Sequence, residues 1–158
     1  MNQGKVVEIY IAAARGEPTI FVEQAHVVPG RGIEGDRYFT EARVFDNNSK
    51  PVKPGRELTL IEIEAIEAIC KEDGIQLTPD QTRRNIITKG VSLNDLVGRV
   101  FYIGNIQLRG IRLCEPCNYL AGRTDPRIIN SMAHRGGLRA EIISDGVIHI
   151  SDIITVSD

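Results

Sequence analysis

The chain has 158 residues, 42% of them hydrophobic and 25% charged, which is the make-up of a globular domain large enough to bury a real core. A net charge of −2 argues against a broad basic face for nucleic acid, and no apolar run approaches the roughly 20 residues of a membrane span. The stretch from Met1 to Glu17 has neither the charged start nor the long apolar centre of a signal peptide, so a cytoplasmic protein with a single domain over residues 1–158 is expected.

Residues 4–13 read as a strand through Val6, Val7, Ile9 and Ile11, and residues 19–28 as a second. Gly30, Gly32 and Gly35 then fall within six residues, a loop that needs positive φ or close backbone approach. Residues 46–56 (DNNSKPVKPGR) carry two prolines, two asparagines and a glycine and are expected to form a flexible excursion. Leu58 to Ile61 is a short strand. Ile63, Ile66, Ile69 and Cys70 follow at helical spacing, and Gly74 ends that helix in the C′ position. Thr78-Pro79-Asp80-Gln81 has the N-cap, N1 and N3 residues of a short helix start.

Ile86 to Thr88 is strand-like, and Ser92 to Leu96 reads as one helical turn. Val100 to Ile103 and Ile106 to Leu113 flank a Gly104-Asn105 turn. Pro126 to Met132 reads as a short helix. Leu138 to Ser144 and Val147 to Ile150 flank Asp145-Gly146, the strongest hairpin signal in the chain, and Ile153 to Val156 closes the sheet. Many short strands with few helices predict a mainly β (α+β) fold, a closed or partly open β-barrel with a few short helices packed on it.

There are three cysteines, Cys70, Cys114 and Cys117, too few and odd in number for a disulfide framework. Cys114-Glu115-Pro116-Cys117 follows a strand, where loops hold functional groups. A thiol is a nucleophile or soft-metal ligand only as thiolate. Arg112, Arg123, Arg135 and Arg139 would favour that form if the fold brings them near. Cys117 is thus a functional thiol, a packing residue or half of a zinc site; for zinc, His134 is one further ligand and no fourth is obvious. A redox pair lacks the βαβ setting of thioredoxin-like motifs. Cys114 either supports Cys117 or packs beneath it, and Cys70 lies on an apolar helix face as a core residue would.

His134-Arg135-Gly136-Gly137 combines cationic side chains with glycines that let backbone amides approach an anion; the competing reading is a polar turn. Arg83-Arg84-Asn85 is either a solvated surface or an inward-pointing arginine with an acidic partner such as Glu64. Gly32, Gly35, Asp36 and Arg37 resemble a fragment of a phosphate loop, without a complete nucleotide motif around them. There is no G-x-S-x-G, and the acidic residues are scattered.

In this order the pieces resemble a MOSC domain, the family named for the C-terminal part of molybdenum-cofactor sulfurases. The resemblance rests on Gly32-Ile33-Glu34-Gly35-Asp36-Arg37, Arg43, Leu58-Thr59-Leu60-Ile61-Glu62 with Glu64, and Arg84-Asn85-Ile86-Ile87-Thr88-Lys89-Gly90. It continues through Leu96-Val97-Gly98, Ile103-Gly104, Glu115-Pro116-Cys117, Arg135-Gly136-Gly137, Asp145-Gly146 and Ser151-Asp152, where the family's usual Gly-Asp reads Ser-Asp.

It implies a barrel with a pocket for the molybdenum cofactor, a phosphorylated pterin with a dithiolene, or for sulfur on its way there. Cys117 falls on the family's cysteine and would carry a persulfide or ligate molybdenum, with Cys114 in support. Asp36, Arg37, Arg84, Asn85, His134, Arg135 and Gly136 would bind the cofactor, an assignment made from side-chain chemistry more than from the family. The longer sulfurases carry a pyridoxal-phosphate desulfurase domain; residues 1–158 hold none and are expected to act with a separate cysteine desulfurase and a recipient molybdoenzyme as partners. The resemblance leaves open a stand-alone molybdoenzyme reducing N-hydroxylated compounds, although no second, later cysteine follows Cys117. A zinc or structural module is the third alternative.

Overall fold

The computed structural model describes residues 3–39 and 56–157. The excursion expected over 46–56 lies, apart from Arg56, outside the described residues. The described residues hold eleven strands, β1 (Gly4–Ile11), β2 (Ile20–Val22), β3 (Gln24–Val28), β4 (Gly32–Ile33), β5 (Leu58–Glu62), β6 (Ile86–Lys89), β7 (Val100–Ile103), β8 (Ile106–Leu113), β9 (Leu138–Ile142), β10 (Gly146–His149) and β11 (Ile153–Val156). Bounded α-helices among the described residues are α1 (Ile63–Asp73), α2 (Asn118–Arg123) and α3 (Ile128–Ser131), with 3-10 turns at Pro79–Thr82 and Leu93–Leu96.

The large sheet runs β11-β7-β8-β9-β5-β6-β1-β2, and β11 also pairs with β1. Seven strands therefore close into a barrel, with β2 attached outside the ring. Closure removes the sheet's open edges. The parallel pair is β5 with β6, joined through α1; the other pairings are antiparallel.

Period-2 alternation explains why β5 and β6 are buried on both faces. Leu58, Leu60 and Ile86 point into the barrel cluster with Val6, Phe101, Leu108, Leu138 and Ile154. Ile61 and Ile87 face outward and are covered by Ile66 and Ile69 of α1 and by Leu120, Ile128 and Met132. Each such buried aliphatic side chain contributes about 1.5–3 kcal/mol over exposure. The helix ends where the spacing predicts, with Gly74 in the left-handed region at φ 65°. The Thr78–Gln81 capping box also forms, around a 3-10 turn.

Two expectations are corrected. The stretch 19–28 is two strands: Ile20–Val22 pairs with β1, whereas Gln24–Val28 joins β10 and β4 in a separate three-stranded sheet. Asp145-Gly146 does not make a hairpin. The main-chain amides of Ile143 and Ser144 donate to the Gln107 carbonyl, and β10 pairs with β3, so the chain crosses from one sheet to the other. A Cβ at Gly146 would lie 2.4 Å from Ile106 Cδ1, so a larger residue there would have to push that side chain aside. Ser151, at the departure from the family's glycine, sits in the left-handed region at φ 74°.

Candidate functional site

The cleft forms where the segments leaving β1 and β8, those entering β6 and α2, Thr59 of β5 and Arg139 of β9 come together. It has a volume of about 390 Å³ and is lined by Arg15, Gly16, Arg37, Tyr38, Arg56, Thr59, Arg83, Arg84, Cys114, Cys117, Tyr119, Leu120 and Arg139. Six of these are arginines and none is acidic.

Cys117 is exposed and occupies the N-cap position of α2; Cys114 is 1% exposed yet lines the same cleft. Cys70 is half-buried on α1, where its thiol donates to the Leu77 carbonyl at 3.3 Å. Arg139 faces both cleft thiols. Burial pulls its guanidinium down, but Cys114, a hydrogen bond to Tyr38 and Cys117 more than offset this and hold it above its ordinary value. In the strand register Arg139 lies between Thr59 on β5 and Arg112 on β8.

Arg37, Arg83 and Arg84 are all buried. Arg37 pairs with the buried Asp36 carboxylate at 3.1 Å and donates to the Arg83 carbonyl at 3.1 Å. Arg83, at φ 61°, donates to the Glu17 carbonyl at 2.8 Å. Burial, then the neighbouring Arg37 charge, lower Arg83 from its ordinary value. Arg37 stacks on Tyr38 at 4.5 Å, while Arg83 and Arg123 lie 5.6 and 5.3 Å from the Tyr119 ring centre.

The residues read from the sequence thus divide. Arg37, Arg84, Cys114 and Cys117 meet in the cleft. Asp36 and Asn85 are fully buried and tied to backbone: Asp36 accepts from the Ala12 amide at 3.0 Å, and Asn85 bonds the Thr59 amide at 3.1 Å and the Tyr10 carbonyl at 3.0 Å. His134 points to Glu115, with its main-chain amide 2.9 Å from that carboxylate and its imidazole exposed. Arg135 lies apart, paired with Asp73 at 3.0 Å. Gly136 packs where a Cβ would stand 2.3 Å from the Cys114 carbonyl oxygen.

Arg84 does not pair with Glu64: its guanidinium meets carbonyls, and Glu64 accepts from the Gly90 amide at 2.9 Å. Arg15, Arg56, Tyr38 and Tyr119 escape the sequence reading, because lone residues beside loops carry no spacing signal. Arg139 carries one: it stands on the polar phase of β9, between the core residues Leu138 and Ala140. Among the described residues no group of three or more His, Cys, Asp or Glu side chains is placed to hold a metal ion, and no helix is long and apolar enough to cross a membrane.

A closed barrel of this topology, with a cysteine in an arginine-lined cleft at the strand ends, defines a class that the comparisons make specific. The MOSC domain family matches residues 47–155, and the chain belongs to that family, which is linked to molybdenum-cofactor binding or sulfur transfer. Among solved structures, the YuaD protein from Bacillus subtilis superimposes with a TM-score of 0.80 at 18% identity, over 98% of this chain and 95% of that one. YiiM from Escherichia coli gives 0.71 at 19% identity over 99% and 70%, and YiiM from Geobacillus stearothermophilus 0.66 at 13% over 98% and 75%. These likenesses show the fold. No curated protein is similar enough to this chain to count as a match.

Proposed function

We propose that this MOSC domain binds the molybdenum cofactor and carries sulfur as a persulfide on Cys117, supplied by a separate cysteine desulfurase and destined for the cofactor of a partner molybdoenzyme. The observation that supports this reading is an exposed thiol sharing one cleft with six arginines and, among the described residues, no acidic lining side chain. The donor set fits the cofactor: guanidinium forks match phosphate oxygens, and thiolate is a soft ligand suited to molybdenum. When bound, the cofactor supplies a dithiolene-held molybdenum centre that takes up sulfur.

The chain's own residues do the rest. The Cys117 thiolate attacks the outer sulfur of the desulfurase persulfide; the old S–S bond breaks and the desulfurase cysteine leaves as thiolate. A new S–S bond stands on Cys117, with no net oxidation or reduction. Arg139 faces the anionic sulfur and stabilises it, while Arg15, Arg56 and Arg83 raise the positive potential that draws in an anionic ligand.

The test is to incubate the protein with a cysteine desulfurase and cysteine and to read the mass of the Cys117 peptide. Each sulfur accepted adds about 32 Da. If Cys117→Ala takes up sulfur as readily as the wild type, the carrier reading is wrong. Stoichiometric molybdenum in the purified protein that is lost in Cys117→Ser, together with no sulfur accepted on Cys117, would favour the stand-alone molybdoenzyme instead.

A further inference from the structure

We propose that Arg84 is a positioning residue for Cys117: its buried guanidinium clasps the thiol-bearing loop to the barrel and sets where the sulfur sits in the cleft. This rests on Cys117 being the reacting thiol. Arg84 Nε donates to the Gly136 carbonyl at 2.8 Å, Nη1 to the Thr82 carbonyl at 3.1 Å and Nη2 to the Cys114 carbonyl at 2.9 Å. These acceptors, with the Glu115 carbonyl at 3.5 Å from Nη2, belong to three separate segments: the 3-10 turn before β6, the exit from β8 and the approach to β9. Only a planar fork with fixed donor directions spans them; a lysine ammonium is a single point on a flexible stem. Because every acceptor is a neutral carbonyl, the charge of Arg84 is not cancelled.

The junction has room for that fork and little else. A Cβ on Gly136 would lie 2.3 Å from the Cys114 oxygen and 3.3 Å from Arg84 Nη2. Cys114 is held from its other side as well, its amide donating to the Gly137 carbonyl at 2.7 Å. From this fixed point the chain reaches Cys117 with little slack. Glu115 is anchored by the His134 amide at 2.9 Å, Pro116 has its φ set by its ring, and the Cys117 carbonyl accepts from the Ala121 amide at 3.0 Å. Loosening Arg84 therefore displaces the sulfur relative to the cleft arginines without removing either.

The experiment compares two reagents on Cys117, followed by peptide mass at a temperature where circular dichroism shows each variant folded. Iodoacetamide is neutral and needs only an exposed thiol. Dithiobis(nitrobenzoate) is an anion whose approach the cleft arginines speed, and its S–S bond must line up with the sulfur. In Arg84→Lys, which keeps the charge and loses the fork, iodoacetamide should react within about twofold of the wild-type rate while the disulfide slows about tenfold. Gly136→Ala, which leaves Arg84 intact and wedges the same junction, should reproduce that split. A wild-type disulfide rate in Arg84→Lys, whatever its melting temperature, overturns the proposal and leaves a purely structural arginine.

A wild-type measurement does not depend on either variant folding: the Arg84 Nε–H resonance in a nitrogen-15 spectrum should exchange slowly and shift when Cys117 is alkylated. An unmoved resonance also overturns the clasp. None of these readouts involves sulfur transfer. A wild-type protein that accepts no persulfide would sink the proposed function and leave the clasp standing, and the reverse outcome is equally distinguishable.

Discussion

Two surfaces of this molecule are rich in arginine, and they are built oppositely. In the groove between α1 and α3, Arg135 meets the carboxylates of Asp73 at 3.0 Å and Glu72 at 3.5 Å. The Ser131 hydroxyl also donates to Asp73. Beside them Arg127 grips Asp125 at 2.8 Å, and that hydrogen bonding holds the Asp125 carboxyl below its usual range. In the cleft, Arg83 and Arg84 find backbone carbonyls, and Asp36 is the carboxylate that pairs with Arg37. Carbonyls satisfy the N–H donors but leave the formal charge in place. The groove is neutralised and structural; in the cleft Arg83 and Arg84 keep their charge beside a thiol. What an arginine is for depends on the charge of what accepts its hydrogen bonds.

The largest effect should come from reversing one cleft charge. Arg139→Glu puts a carboxylate beside both thiols and should slow the reaction of Cys117 with an anionic disulfide by about a hundredfold at low salt, with the gap narrowing as ionic strength rises. Stopped-flow rates at two salt concentrations check this, and an unchanged rate would remove Arg139 from the site. The matching change in the groove should do almost nothing to the thiol. Arg135→Ala breaks partly exposed ion pairs worth under about 1 kcal/mol together, so the urea midpoint moves slightly and the Cys117 rate stays put. A large rate change there would break the distinction between the two surfaces.

Much of the fold was legible because it rests on local signals. The short buried runs of β5 and β6, the Gly74 stop and the Thr78–Gln81 cap are set by neighbours a few residues apart. The Asp145-Gly146 hairpin was misread because its local turn signal was strong while the partner of β10 is β3, more than a hundred residues earlier. In the site, Cys117 could be found from its motif. The acceptors of Arg84 and the separation of Arg135 from the cleft could not, since both depend on which carbonyls and carboxylates the barrel brings together from distant segments.

A smaller effect tests backbone rather than charge. Arg83 and His134, which flank the site, and Ser151, which does not, have left-handed backbones at φ 61°, 63° and 74°. An L side chain there costs about 1 kcal/mol or more. Ser151→Gly should therefore stabilise the protein by about 0.5–1 kcal/mol in a denaturation curve with no change at Cys117, because it frees strain the cleft does not use. Arg83→Gly relieves the same strain but removes a lining guanidinium, so its anionic-reagent rate should fall.

The smallest predicted effect concerns a third arrangement, a cation that can be switched off. His26 stands between Asp145, 2.9 Å from Nε2, and Glu34, 3.1 Å from Nδ1, linking β3 to the turn after β4 and to the crossing before β10. Hydrogen bonds to Asp145 and then to Glu34 raise it above its ordinary value. A histidine raised in the folded state stabilises fully below its unfolded pKa of about 6.5, and that contribution is lost as pH climbs through the folded value. Comparing His26→Gln with wild type should show a small loss of stability at pH 6 and none at pH 8.5, while the Arg135 pairs, permanently charged on the arginine side, show no such change over the same interval. If the His26 difference persisted at pH 8.5, neutral hydrogen bonds rather than charge would be holding the small sheet, and carboxylate pairing would no longer be what sets the two neutralised sites apart from the cleft.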